Sequence, residues 1–451
     1  MGCKARYFSI ETYRNKLISL KKTKAAAIQE PQNFECHKSR QIFTIIAGAR
    51  QIPEVLFFPY ICPMRIAINA RFLHPDRMEG IGRYSYETIR RIVDNHPEDS
   101  FLLLTDNNGA AAFTFPQNVT VKKIGLLPAR HPLLFWLWFE FSVRRALRQF
   151  GADVFYSPDG FIPTLKTVPC VPVIHDIAWK HFPKHIKRRD RLYYQWMTPR
   201  FCRKAASIIT VSKFSKLDLM KSYHLPASKI TVTGNACSPD FHPIDEIQQM
   251  QIRRQYTDQK DYFFYVGALH PRKNIINLVK AFDIFKQETG SNMKLVLAGR
   301  LAWKTKSFKK AMESASAKED IIRLGFVPNE DLPLLMGSAF ALTYVSLFEG
   351  FGVPLLEAMA SDIPVITSTV SSLPEVVGDA GLKVNPHDPK DIARAMVTLR
   401  KNFDMYNELV AKGRERVKKY DWDVYAEAVY NVLKANSQTS FHGMLPDEIL
   451  S

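Results

Sequence analysis

Two glutamates, Glu349 and Glu357, flank a Gly-Phe-Gly turn and a proline in SLFEGFGVPLLEAMASDIPVITS, residues 346–368. Gly350 and Gly352 let backbone amides come close to an anion, and Pro354 suits a first helical turn, where its missing N–H costs nothing. A strand, a glycine loop and a helix N-terminus in that order favour a phosphate, because amide donors and helix dipole both attract negative charge. A carboxylate is repelled by phosphate but accepts strong hydrogen bonds from hydroxyls. A nucleotide sugar carries hydroxyls on both flanks of its pyrophosphate, the sugar ring on one side and the ribose on the other. Glu349 on the loop and Glu357 in the helix fit one flank each. The bare spacing says little; the strand, glycine loop and proline around it carry the reading. For Glu357 alone, an ordinary helix glutamate is the plain alternative.

A second cluster is GALHPRKN, Gly267 to Asn274. A strand ends at Gly267, and a short loop brings Arg272 and Lys273 to the start of a helix. Two fixed cations facing the same cleft would neutralise a diphosphate leaving group without a metal. The alternative is a solvated Arg-Lys pair. GIGRYS at 80–85 imitates a dinucleotide fingerprint, but it lies well after its strand and no ribose-binding acid follows in context, which argues against a dehydrogenase. DWD at 421–423 imitates a D-x-D metal motif, yet it opens a helix: Asp421 reads as N-cap and Trp422 as a packing residue.

The elements that must position these residues alternate from Met64 onward. RIAINA, SFLLLT, DVFYSP, VPVIHD, SIITVS and KITVTG have strand length and helical stretches between them. After SPDFHPIDE the pattern restarts with YFFYVGAL, KLVLAGR, IIRLGFV, FALTYVS, PVITS and GLKVN. Short apolar runs separated by helices predict an α/β chain with parallel sheets in two Rossmann-like halves. The expected boundaries are 64–243 for the first half, 244–420 for the second, a last helix at 421–436 and a tail at 437–451. Ligands of open parallel sheets bind outside the carboxyl ends of the strands. Gly80, Gly82, His175, Gly267, Arg272, Lys273, Gly299 and Glu349 fall there, which predicts one cleft between the halves.

The chain has 451 residues and a net charge of +18, an excess that suits a polyanionic partner. No nucleic-acid module is visible. Its six cysteines are scattered without a C-x-x-C pair, which predicts a reducing, cytoplasmic setting. Val55–Met64 is about half the length needed to cross a bilayer. MGCKAR has Arg6 where a myristoylation signal needs Ser or Thr, and no signal peptide is seen. Residues 1–63 are basic and without clear period, as expected of an extension with little structure or of a start assigned too early. Residues 131–150 and 180–204 mix cations with aromatics and could lie on the inner face of an anionic membrane. The alternative for them is a core helix and a solvated basic loop.

GALHPRKN, LAGR, RLGFVPNEDLPLLMGSA and the 346–368 stretch, with MRIAINARF…EGIGRYSYE and VIHDIAW, resemble the retaining glycosyltransferases of family 4, which have the GT-B fold, and their mannosyltransferase-like branch. The resemblance covers about 64–436. It implies that Glu349 binds donor-sugar hydroxyls near C3 and Glu357 the ribose diol. It implies Arg272 and Lys273 on the diphosphate, with the amides of Gly350, Phe351, Gly352 and Val353 nearby. His175 would face the donor sugar and its C6 hydroxyl, Gly82 would let a loop close over the phosphates, Val327 would pack the base, and Gly267 would line the donor site. Two departures from the family's pattern stand out: Ser361 and Asp362 replace a frequent glycine after EAMA, and GNACSPD replaces N-G-V-D, which bears on the hinge.

The implied reaction is metal-independent transfer of a hexose, mannose from GDP-mannose by the branch, to a hydroxyl of a growing surface or lipid-linked glycan, with retention. It is a step of polysaccharide or lipopolysaccharide biosynthesis. Double displacement would need a carboxylate beneath the anomeric carbon. Glu349 suits hydroxyl binding better, so a front-face route is expected. The rival readings are a silent nucleotide-sugar binder and a GT-B epimerase.

Overall fold

The computed structural model describes residues 63–75, 80–125, 132–301 and 306–438. The readings placed on residues 1–62 and on the tail from 439 lie outside these.

Five strands form the first sheet: β1 (Arg65–Asn69), β2 (Ser100–Thr105), β3 (Val119–Lys123), β4 (Val154–Ser157) and β5 (Cys170–Pro172). Their order is β3-β2-β1-β4-β5, and every pairing is parallel. SIITVS and KITVTG form a separate parallel pair, β6 (Ile208–Thr210) and β7 (Ile230–Val232). A single bridge, Val173 to Ile209, joins that pair to the first sheet. The second sheet has six strands: β8 (Tyr262–Val266), β9 (Lys294–Ala298), β10 (Ile321–Gly325), β11 (Ala341–Tyr344), β12 (Val365–Ser368) and β13 (Gly381–Val384). Its order is β10-β9-β8-β11-β12-β13, again all parallel. The expected α/β class is therefore the observed one.

Sequence explains the placement. β1 and β8 are nearly continuous apolar runs because helices cover both faces of a central parallel strand; Ile66, Ala67, Ile68 and Tyr262 to Tyr265 have no exposed surface. β3, VTVKK, puts lysines on an edge, where they remain exposed. In each sheet the winding reverses beside the first strand, between β1 and β4 and between β8 and β11. That reversal opens a crevice at the carboxyl ends, where loops can bind a ligand.

The final helix, Trp422–Gln438, lies against the Ile81–Asn95 helix beside β1. His96 stacks on Tyr430, whose hydroxyl donates to Asp99 at 2.7 Å. Asp421 accepts from the Asp423 amide at 2.7 Å and Trp422 is buried, so DWD begins a helix as read. One of the two basic-aromatic segments corrects its plain alternative. Arg188–Lys204 is a helix, with Pro199 inside it, rather than a solvated loop. Residues 132–150 are helical with a π turn at Trp138–Val143; Trp138, Phe139 and Leu147 are buried while Phe141 projects outward. Trp138, Phe139, Val143, Ala146 and Leu147 join one core cluster, as the core-helix alternative expects.

Candidate active site

Past β8, Pro271–Lys273 forms one 3-10 turn, and Asn274 at φ 63° starts the Ile275–Thr289 helix. Arg272 and Lys273 therefore stand on a turn before the helix rather than in its first turn. His270 fixes that turn: its Nδ1 accepts from the Arg272 amide at 3.2 Å while Nε2 donates to the His185 carbonyl at 2.8 Å. The Leu347 amide donates to the Arg272 carbonyl at 2.9 Å, tying the turn to the loop after β11.

Across that tie the charges meet. Lys273 Nζ is 2.6 Å from Glu349 Oε1, and Arg272 is 3.0 Å from Oε2. Lys273 also donates to the Tyr344 hydroxyl at 2.6 Å, which donates to Glu349 at 3.1 Å. Arg272 takes the Phe348 carbonyl as a further partner. Glu349 is buried, and burial alone would raise its pKa; the two cations reverse this and hold it at about 2. Arg272 is held above its usual range, its burial outweighed by Glu349. Lys273 is lowered, because burial of its ammonium outweighs the attraction of Glu349. Glu349's share of stability, about 3 kcal/mol, is present above pH 4.5 and lost as pH falls towards 2. The buried lysine offsets part of it. The three side chains together carry one net positive charge, with Asp176 in electrostatic reach of both cations; fixed cations of this kind can stabilise a departing diphosphate.

The glycine loop follows. Gly352 has φ 106°, open to glycine but strained for other residues, and Pro354 lies at the start of the Val353–Ala360 helix. A Cβ at Gly350 would overlap the carbonyl oxygen of His175, so only glycine lets the loops after β5 and β11 meet. Ser212 and Ser215 donate to the Gly350 carbonyl at 2.7 and 3.2 Å. Glu375 accepts from the amides of Lys213 and Phe214, capping the Lys213–Tyr223 helix from the other half. Ser372 donates to the carbonyls of Glu349 and Phe351.

His175 donates from Nε2 to the Pro158 carbonyl at 2.8 Å, and Tyr84 meets its ring edge-on at 4.9 Å. Burial lowers its pKa, so the ring is neutral and Nδ1 is an acceptor. Glu357 sits half-buried on the Val353–Ala360 helix. Burial pushes its carboxyl up to about 7, against the charge of Arg83, and Cys237 lies beside it. Gly82 is buried in the first turn of the Ile81–Asn95 helix, not in a loop, because the chain turns helical immediately after Gly80. Gly267, at φ 133°, leaves β8 beside the turn. Val327 is half-buried two residues past β10 and packs against the core. The structure thus joins Arg272, Lys273, Glu349, Gly350 and His175 into one assembly, with Glu357 on the next helix and Val327 on a separate strand end. Tyr344, Ser212, Ser215 and Glu375 were not foreseen. Only Tyr344 carried a signal, as the last residue of a strand on the binding side.

Among the described residues no group of three or more His, Cys, Asp or Glu side chains is placed to hold a metal, and no helix is long and apolar enough to cross a membrane.

Two parallel-sheet halves whose strand-end loops meet are shared with solved glycosyltransferases. Sucrose-phosphate synthase from Thermosynechococcus elongatus superposes with TM-score 0.69 at 16% identity, over 84% of this chain and all of that one. Anabaena HepE in complex with UDP and glucose gives 0.63 at 17%, over 82% and 100%. The fold is GT-B. Residues 78–241 match glycosyltransferase family 4, and 248–416 match glycosyl transferases group 1. O-antigen chain mannosyltransferase B of Escherichia coli is 32% identical over 369 residues, 79% of this chain and 96% of the relative. O-antigen chain mannosyltransferase RfbU of Salmonella typhimurium is 27% identical, over 81% and 90%. The chain belongs to the family 4 glycosyltransferases and is a hexosyltransferase.

Proposed function

We propose that residues 64–243 bind the acceptor and residues 244–420 the donor, and that the enzyme transfers mannose from GDP-mannose to a hydroxyl of a growing O-antigen-type glycan, with retention. The observation that carries the reaction type is the net-positive Lys273–Arg272–Glu349 assembly beside the glycine loop. The mannosyltransferase names of the relatives support the sugar, and UDP with glucose in HepE supports a nucleotide-sugar donor. The guanine base rests on the branch resemblance.

In this reading Arg272 and Lys273 hold the diphosphate, with the amides of Gly350 to Val353 beside it. Glu349, pinned by both cations, accepts from sugar hydroxyls, and Glu357 accepts from the ribose diol. His175, neutral and oriented by Pro158, accepts from the sugar's C6 hydroxyl through Nδ1. Gly267 lines the site and Val327 packs the base. Gly82 gives the Ile81–Asn95 helix a close approach to the phosphates. Glu349 is committed to two cations, so a covalent intermediate on it is disfavoured. The acceptor hydroxyl attacks on the face the diphosphate leaves, and the leaving oxygen takes its proton. The enzyme supplies positioning and charge stabilisation and needs no metal. Exposed Phe141, Leu192 and Trp196, set among arginines, favour peripheral contact with the anionic inner face of the membrane.

Incubating purified enzyme with GDP-mannose tests this. Slow release of GDP with α-mannose as the first free sugar is expected; intact donor indicates a silent binder, and a C2-epimerised product indicates an epimerase.

A further inference from the structure

A buried carboxylate on the acceptor side has work left to do. β4 ends at Ser157, and the turn after it places Asp159 directly beyond the carbonyl that orients His175. Asp159 is 9% exposed. Its Oδ1 accepts from the Asn69 amide at 2.7 Å and the Phe161 amide at 3.1 Å, and the Ser157 hydroxyl lies 2.9 Å away. These contacts fix the carboxylate's orientation. Its Oδ2 is buried and has no hydrogen-bond partner. Buried acceptors rarely stay unpaired, so an Oδ2 held this way points to a donor brought by a ligand.

The neighbours of that oxygen say which ligand. Tyr193 and Tyr194 both feel the Asp159 charge. Tyr194 stacks on Trp179 with ring centres 5.9 Å apart, and Phe161 packs against both tyrosines. Arg71, paired with Asp106 at 3.1 Å and lying over the Phe135 ring, also acts on Asp159: burial raises the Asp159 pKa and the Arg71 charge opposes that rise. An aromatic wall beside a fixed carboxylate suits a sugar: ring faces take its C–H surface, and the carboxylate takes its hydroxyls. A fully ionised phosphate has no hydrogen to donate to that oxygen, whereas a sugar hydroxyl does.

We infer that Asp159, with Tyr194 and Trp179, forms the acceptor subsite and binds a neutral hexose at the acceptor's end through its hydroxyls. This rests on the glycosyl-transfer reading above. It deepens that reading by making the acceptor's terminal unit an uncharged sugar rather than a lipid phosphate.

The test titrates methyl α-mannopyranoside, methyl α-glucopyranoside and mannose 6-phosphate by saturation-transfer NMR against the full chain, with GDP binding read in parallel. At least one neutral glycoside should bind the native enzyme, and mannose 6-phosphate should bind no better. Asp159→Asn should weaken glycoside binding about 10-fold or more, the range of a hydrogen bond to a charged group, with GDP binding unchanged. Trp179→Ala, which leaves the Asp159 network intact, should weaken it about 5-fold and carries the test should Asp159→Asn not fold. Failure of every neutral glycoside to bind, preference for the phosphorylated sugar, or unaltered binding in both variants overturns the subsite. Loss of GDP binding by the native enzyme would instead count against the donor reading.

Discussion

At the scale of single residues, Lys273 and Glu357 carry opposite electrostatic burdens. Lys273 is buried at a cost and held by Glu349 and Tyr344. In the proposed reaction that cost is recovered only when a diphosphate charge develops beside it. Lys273→Ala should lower kcat by roughly 10²-fold, with a smaller change in KM, in donor-turnover kinetics; full activity would contradict its role. Glu357 has its carboxyl raised from 4.5 to about 7. Between those values the folded protein holds more protons than the unfolded chain. The corresponding stability is present below pH 4.5 and lost as pH rises through 7. Glu357→Gln should therefore raise the melting temperature of the ligand-free enzyme at pH 8, by a gain of no more than about 3 kcal/mol, and leave it unchanged near pH 4. A ribose diol donates to the ionised form. Nucleotide affinity should accordingly rise as pH increases through 7 in the native enzyme and stay flat in Glu357→Gln, as isothermal titration across pH 6–8 would show.

Among elements, the decisive contact is between the loop after β5 and the loop after β11. Gly350 fits beneath His175 only without a side chain, and Ser212, Ser215 and Glu375 reinforce the same meeting. Gly350→Ala should spread these loops and cost about 10²-fold in kcat/KM, the scale of a small misplacement of reacting groups, while circular dichroism remains native; unchanged kinetics would show that the contact is incidental. The strands and their binding ends were legible because buried parallel strands are written as apolar runs closed by glycine or polar residues. The turn carrying Arg272 was half-legible: Pro271 and Asn274 mark a tight turn, but the helix pattern behind them pulled the cations into its first turn. The Glu349 ion pairs were not legible, since they depend on two loops 76 and 77 residues apart in sequence coming within 3.0 Å. The helix at 188–204 was half-legible, open to a basic-aromatic helix or a solvated loop, because Pro199 and a run of cations obscure its apolar period. Asp159 was invisible for a similar reason, as its unpaired oxygen is defined by partners on β1 and on its own turn.

For the whole molecule, the proposed function joins the net charge of +18 to the exposed Phe141, Leu192 and Trp196: the half proposed to take the acceptor would rest on an anionic surface. Co-sedimentation with anionic vesicles at low salt should be strong, should fade as salt screens the surface, and should weaken in Trp196→Ser; no sedimentation at low salt would remove the membrane from the account. The central claim is that the two halves enclose a nucleotide sugar, measured out by Glu349 at the sugar and Glu357 at the ribose with two cations between. A thermal-shift panel of GDP, UDP, ADP and their sugars tests it most directly, run on the native enzyme, Lys273→Ala and Glu357→Gln. GDP-mannose should give the largest shift in the native enzyme, and both substitutions should shrink it. Absence of a shift with every nucleotide sugar, or shifts that neither substitution changes, would contradict the claim.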